Sequence, residues 1–131
     1  MQLEDFMGQV QHRAQLPNLD AALGATRATL ETLAERIGAD EARHLGAQLP
    51  AEIRRYLRAS DDQGERFSSD EFLQRICERE GIDLPVSVYH ARVVIEVLQE
   101  AVSPGEMGNI LERLPDDYLR LFTGGGDKMP S

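Results

Sequence analysis

The chain has 131 residues, 23 acidic against 14 basic side chains, a formal net charge of −9 and one cysteine, so a single domain can bury a real core without disulfide or metal staples. The acidic surplus recurs in both halves, 11 against 7 over residues 1–65 and 12 against 7 over residues 66–131, which disfavours the phosphate backbone of nucleic acid. No basic leader or apolar run of about 18 residues points to secretion or a membrane span, and Cys77, with nothing to pair with, fits the reducing cytoplasm.

The first predicted helix, LEDFMGQVQHRA, sets Phe6, Val10 and Ala14 or Arg13 at helical spacing. A long helix over residues 20–37 follows, with Leu23, Thr26, Leu30, Leu33 and Ile37 three and four apart. A third, short helix carries Ala42, Leu45, Gly46 and Leu49. Pro50 then opens a fourth, because proline disfavours the α conformation in the residue before it and is welcome in a first turn. That helix, EIRRYLR, gathers Arg54, Arg55 and Arg58 into a basic patch on an acidic protein. Such a patch is either a solvated face or an interface for an acidic partner, including a second copy of the chain.

Residues 59–72, ASDDQGERFSSDEF, read as a polar linker ending in a helix start. From there the chain repeats itself. Phe72 and Ile76 answer Phe6 and Val10, with Cys77 beside them as a small core or boundary residue. An offset of 65 carries Arg27 to Arg92, Leu30 to Ile95, Glu31 to Glu96, Leu33 to Leu98, Leu45 to Ile110 and Pro50 to Pro115. The sixth helix, residues 86–102, holds VVIEV, β-branched enough for a strand by propensity, but the shared seam of Val88, Ala91, Ile95, Leu98 and Val102 decides for helix. Its extra Val93, Val94, Val97 and Ala101 widen the apolar face where Ala28, Thr29, Thr32 and Arg36 do not. A helix apolar most of the way round is central to the bundle or covered by a partner, so Val93, Val94 and Val97 are candidate interface residues as well as candidate core. In the seventh helix Ser103 caps, Pro104 takes the first turn and Glu106 closes a capping box. Pro115 opens the eighth, and residues 123–131, ending TGGGDKMPS, read as a disordered tail.

These elements predict an all-α, compact bundle of about eight helices in one domain over residues 1–122. It would be built from two tandem four-helix units, about 3–58 and 69–122, related by approximate two-fold symmetry.

The chemistry is sparse. Glu41-Ala-Arg-His44 has the Glu-x-x-His spacing of carboxylate-bridged metal sites, but Glu106-Met-Gly-Asn109 lacks the second histidine, so an exposed helix face is expected and no metal. His12 and His90 show no ligand spacing, and His90 is expected to be hydrogen-bonded and partly buried. Neither a Ser-His-Asp order nor a phosphate loop is present. Arg27 with Glu31, and Arg92 with Glu96, are i,i+4 pairs. They are surface pairs or, together with His90, a polar contact or pocket where the units meet.

The phrases EFLQRICEREGI, HARVVIEVLQEAVSPGE and LERLPDDYLRLF, with weaker echoes in ATLETLAERIGADEARHLGAQLP, resemble the bacterial family called domain of unknown function 2267. The resemblance runs from about Phe6 to Phe122 and implies a small, soluble, all-helical protein. It brings no activity, cofactor or catalytic residue. The functional expectation is a non-enzymatic module acting by protein–protein interaction or self-association, without cofactor. The alternative is a sensor binding a small ligand or metal between the two units.

Overall fold

The computed structural model describes residues 1–123. Among them the chain forms α1 (Leu3–Arg13), α2 (Leu19–Ile37), α3 (Ala39–Gly46), α4 (Ala51–Arg54), α5 (Ser69–Glu80), α6 (Leu84–Ala101), α7 (Pro104–Glu112), a 3-10 turn (Asp116–Tyr118) and α8 (Leu119–Thr123), with no strand. Thr123 closes α8, and the rest of the expected tail lies outside the described residues.

Local chemistry sets these limits. The side chains of Asn18, Ser68 and Ser103 accept hydrogen bonds from the backbone N–H groups of Ala21, Glu71 and Glu106, each filling a donor that a first helical turn leaves open. Gly81 ends α5 in the left-handed conformation at φ 73°. The VVIEV stretch lies inside α6, where packing overrides its β propensity.

The body of the molecule is α1, α2, α5 and α6, with α1 and α5 each packed against both long helices. The two halves therefore share one core and do not stand as separate four-helix bundles. The reason is area. Eleven residues of α2 are buried, from Ala22 to Ile37, and α1, with Phe6, Met7 and Val10 buried, is too short to cover them alone. Positions 65 apart still take matching places: Leu30 and Ile95, Leu33 and Leu98, and Leu45 and Ile110 are all fully buried.

The expected contrast between the long helices does not hold. Val93, Val94 and Val97 are buried within the chain itself, so the wide apolar face of α6 is covered by its own neighbours. Ala28, Thr29, Thr32 and Arg36 of α2 are buried just as deeply. Alanine and threonine are small enough for close helix contact, and Thr32 Oγ1 settles its proton on the Ala28 carbonyl at 2.8 Å. Arg36 stacks over the Tyr118 ring at 5.3 Å and donates to the Phe67 carbonyl.

The linker between the halves is pinned rather than loose. Ala39 N–H donates to Asp61 and Glu65 N–H to the Glu35 carbonyl, which lays residues 61–65 across the end of α2. Two glycines make this approach possible: Gly38 at φ 92° and Gly64 at φ 86° face one another, and a Cβ on Gly38 would lie 2.5 Å from the Asp62 carbonyl oxygen.

Candidate functional site

A cleft of about 760 Å³ opens between α2, the end of α4 and α5, lined by Arg27, Glu31, Glu35, Arg55, Tyr56, Arg58 and Arg79. Tyr56 is its floor. The guanidinium groups of Arg27 and Arg55 lie over its ring at 5.6 and 5.2 Å, a cation–π arrangement that aligns both forks. Arg27 Nε pairs with Glu31 at 3.0 Å. On the α5 side, Arg79 donates to Thr32 Oγ1 at 2.7 Å and to Glu35 at 2.6 Å, and Arg75 reaches Glu35 at 3.2 Å. Burial pushes the Glu35 carboxyl up, but the hydrogen bonds and charges of Arg79 and Arg75 outweigh it and hold the group below the usual carboxylate value.

The balance of charge is positive, four arginines to two glutamates. Glu31 and Glu35 are already matched by Arg27 and by Arg79 with Arg75. Arg55 donates to the Tyr56 hydroxyl, and Arg58 is exposed with no ion pair among the described residues. A hollow beside the cleft adds Arg43 and Arg54 to Arg55 and Arg58. Arg54 is spoken for: its Nε donates to the Gly46 carbonyl at 2.8 Å and Nη2 to that of Leu49 at 3.1 Å. Of the three arginines expected to form one patch, Arg55 and Arg58 face the cleft while Arg54 clasps the end of α3.

The other expected grouping is dispersed. Arg27 and Glu31 are in the cleft, but Glu96 pairs with Arg13 at 2.5 Å, and Arg13 also grips Glu100 through both amino groups at 2.7 and 2.8 Å. Arg92 lines a second hollow with Ser69, Asp70, Asp116, Asp117 and Arg120. His90 belongs to a third place, near the end of α5. Desolvating four charges in the apolar contact between α2 and α6 would cost more than their pairing returns, so these groups lie at its margin.

Three residues of the second hollow stand 65 positions on from residues of the cleft, Arg92 from Arg27, Arg120 from Arg55 and Leu121 from Tyr56. Three aspartates against two arginines reverse its charge. The family described as "Uncharacterized conserved protein (DUF2267)" matches residues 3–121, spanning every helix that forms the cleft. The chain belongs to the DUF2267 family. No curated protein matches it.

Two further polar clusters mark this DUF2267 chain. His90 Nδ1 lies 2.5 Å from Glu80 Oε2, and Ser87 donates to Glu80 Oε1 at 2.9 Å, with both ring and carboxylate buried. The hydroxyl is bonded to the carboxylate and not to the imidazole, so the trio ties α5 to α6 and does not activate a nucleophile. Sequence reading expects a hydrogen-bonded His90, while Glu80 as its partner emerges only from the fold. In the second cluster Glu41 is buried against Glu106, and not on an exposed face as the Glu-x-x-His spacing led one to expect. His44 and Arg43 of that motif are exposed. Among the described residues no group of three or more His, Cys, Asp or Glu is placed to hold a metal ion, and no helix is long and apolar enough to cross a membrane.

Residues missed by sequence reasoning are Glu35, Tyr56 and Arg79. Arg79 has a local signal, lying one turn beyond the Glu71–Arg75 pair, but nothing local links it to Arg27 on another helix.

Proposed function

We propose that this protein is a non-enzymatic binding module whose arginine-lined cleft receives an acidic segment of a partner protein. One observation carries the reading: an overall acidic chain concentrates Arg27, Arg55, Arg58 and Arg79 around Tyr56, leaving two of them without a carboxylate partner among the described residues. Arginine forks match carboxylates bidentately. The duplicated sequence pattern supports an origin of the chain from one repeated helical unit, with the binding face kept in one copy and lost in the other. A reducing, cytoplasmic setting fits the single thiol, which donates to the Ile82 carbonyl at 3.0 Å.

A second reading is favoured by the position of the cleft: α2 and α4 belong to the first half and α5 to the second, so a small anionic molecule seated there would bridge the halves. One titration separates the two. A fluorescein-labelled peptide of alternating Glu and Gly is followed by anisotropy at low and high salt, with citrate and inorganic phosphate as competitors. The protein-partner reading expects saturable, salt-weakened binding to the peptide that the Arg55→Glu/Arg58→Glu variant reduces about tenfold, since two exposed pairs of up to about 1 kcal/mol each are lost. Binding of citrate or phosphate without binding of the peptide would move the assignment to a small ligand. No binding of any probe would remove both.

A further inference from the structure

The α3–α7 contact joins the two halves through groups that do not belong to the cleft. Gln48, just beyond α3, donates its amide to Ser103 Oγ at 3.3 Å and accepts from the Ser103 N–H at 2.7 Å. That second bond uses the backbone donor which Glu106, at the third position of α7, would take in closing a capping box. Ser103 still caps Glu106 N–H, but the Glu106 carboxyl is released from the box and turns to Glu41 of α3. Both residues are buried, at 5% and 7% exposure.

The groups facing this pair do not neutralise it fully. Arg113 Nε donates to Glu41 Oε1 at 3.0 Å and its Nη1 reaches the Ile37 carbonyl at the end of α2. Asn109 hydrogen-bonds Glu106. His44 stands 3.9 Å from Glu41 Oε2 with its ring two-thirds exposed, and Asp40 and Arg43 pair with each other on the outer face of α3. From α4, Arg54 is engaged with the Gly46 and Leu49 carbonyls, and Arg36 of α2 with that of Phe67. Glu41 Oε2 and Glu106 Oε2 are sealed from solvent and receive no hydrogen bond from any N–H or hydroxyl among the described residues. Two bare carboxylates in contact and out of water repel one another with nothing to screen them.

We propose that Glu41 and Glu106 hold one proton between them, and that this shared proton closes the α3–α7 contact. Burial, reinforced by the hydrogen bond and charge of Glu41, pushes the Glu106 carboxyl up to about 7, against the smaller pull of Asn109 and Arg113. An acid raised in the folded state contributes stability that is fully present below its unfolded value and is lost as pH rises through the folded one. The contact is therefore tightest in acid and loosens progressively as pH rises to neutrality.

Hydrogen exchange read by NMR from about pH 5 to pH 8 tests this on the intact chain. In the wild type, protection of the α3 and α7 amides, with the intrinsic rate divided out, falls by up to about tenfold per pH unit as pH rises toward 7 and levels off above it. Glu106→Gln keeps a donor for Glu41 and cannot ionise, so it abolishes the fall. Titration of the wild-type side-chain carboxyls by carbon NMR finds Glu106 well above the ordinary carboxylate range, and does so whether or not the variant folds. Level protection in the wild type, an unchanged fall in Glu106→Gln, or a Glu106 that titrates below about 5 would overturn the proposal. So would restoration of protection at pH 8 by magnesium or zinc, which would make the pair a cation site.

Discussion

Single residues carry unusual weight where the linker crosses α2. Gly38 and Gly64 both hold positive φ and each would drive a Cβ into the other's strand of backbone, Gly38 into Asp62 and Gly64 into Arg36. Gly38→Ala and Gly64→Ala are each expected to lower stability by about 1–3 kcal/mol from the backbone conformation alone, with the clash adding to it. Urea denaturation checks this, and an unchanged midpoint for either variant would mean that the linker does not dock as described. Tyr118 is a second such point. Its ring meets Phe72 edge-on at 5.4 Å, and its hydroxyl donates to the Phe67 carbonyl at 2.6 Å, while burial pushes the phenol up to about 12. Tyr118→Phe should cost about 0.5–1.5 kcal/mol, the worth of one hydrogen bond, since Arg36 still serves the Phe67 carbonyl. Neither glycine nor the tyrosine is marked in the sequence. Gly64 reads there as a linker residue, because a close approach between segments some 26 positions apart has no local signature.

At the scale of elements, the helices were legible in number and order, and the extent of α4 was not. The three-and-four spacing of Leu23 to Ile37 and of Val88 to Val102 places α2 and α6 correctly because a helix buried along its length must repeat its apolar face each turn. Reading Thr29, Thr32 and Arg36 as adding nothing to the buried face fails for a different reason: Thr32 hides its hydroxyl on its own helix and Arg36 finds a carbonyl and a ring, neither of which a hydropathy pattern records. EIRRYLR was expected to be a full helix, but α4 is one turn. The Pro50 corner starts it, and Arg54 bends back to the end of α3 rather than continuing along a helical face. Replacing Arg54 with alanine would leave the Gly46 and Leu49 carbonyls without these donors. A loss of about 1–3 kcal/mol is expected, read by thermal or urea unfolding, together with faster amide exchange in α3 and α4. A silent Arg54→Ala would show the clasp to be incidental. The dispersal of Arg27, Glu31, His90, Arg92 and Glu96 follows from the same limit: an i,i+4 pair fixes one helix face, not which neighbour that face meets.

For the whole molecule, the carboxylates set opposing pH limits. Glu100 is held below its usual range by its hydrogen bonds and charge contact with Arg13, and Glu35 by Arg79 and Arg75 despite burial. Groups depressed in this way add stability above their unfolded value of 4.5 and lose it as pH falls through the folded one. Glu106 works the other way, losing its contribution as pH rises through about 7. Stability should therefore be greatest near the unfolded carboxyl value of 4.5, decline on both sides and level off above about pH 7, and a urea series across pH checks it. A profile that climbs steadily to pH 8 would contradict the assignment of Glu106.

The same scale frames the functional account. Two hollows that share three positions 65 apart carry opposite charge, Arg27, Arg55, Arg58 and Arg79 in one and three aspartates beside Arg92 and Arg120 in the other, so the second serves as an internal control for the first. The direct test is a proton–nitrogen NMR titration with the acidic peptide. The account predicts saturable shifts confined to Arg27, Glu31, Arg55, Tyr56, Arg58, Arg79 and their neighbours, with the hollow around Arg92 and Arg120 unmoved. Shifts centred on that second hollow, or none at all, would contradict it.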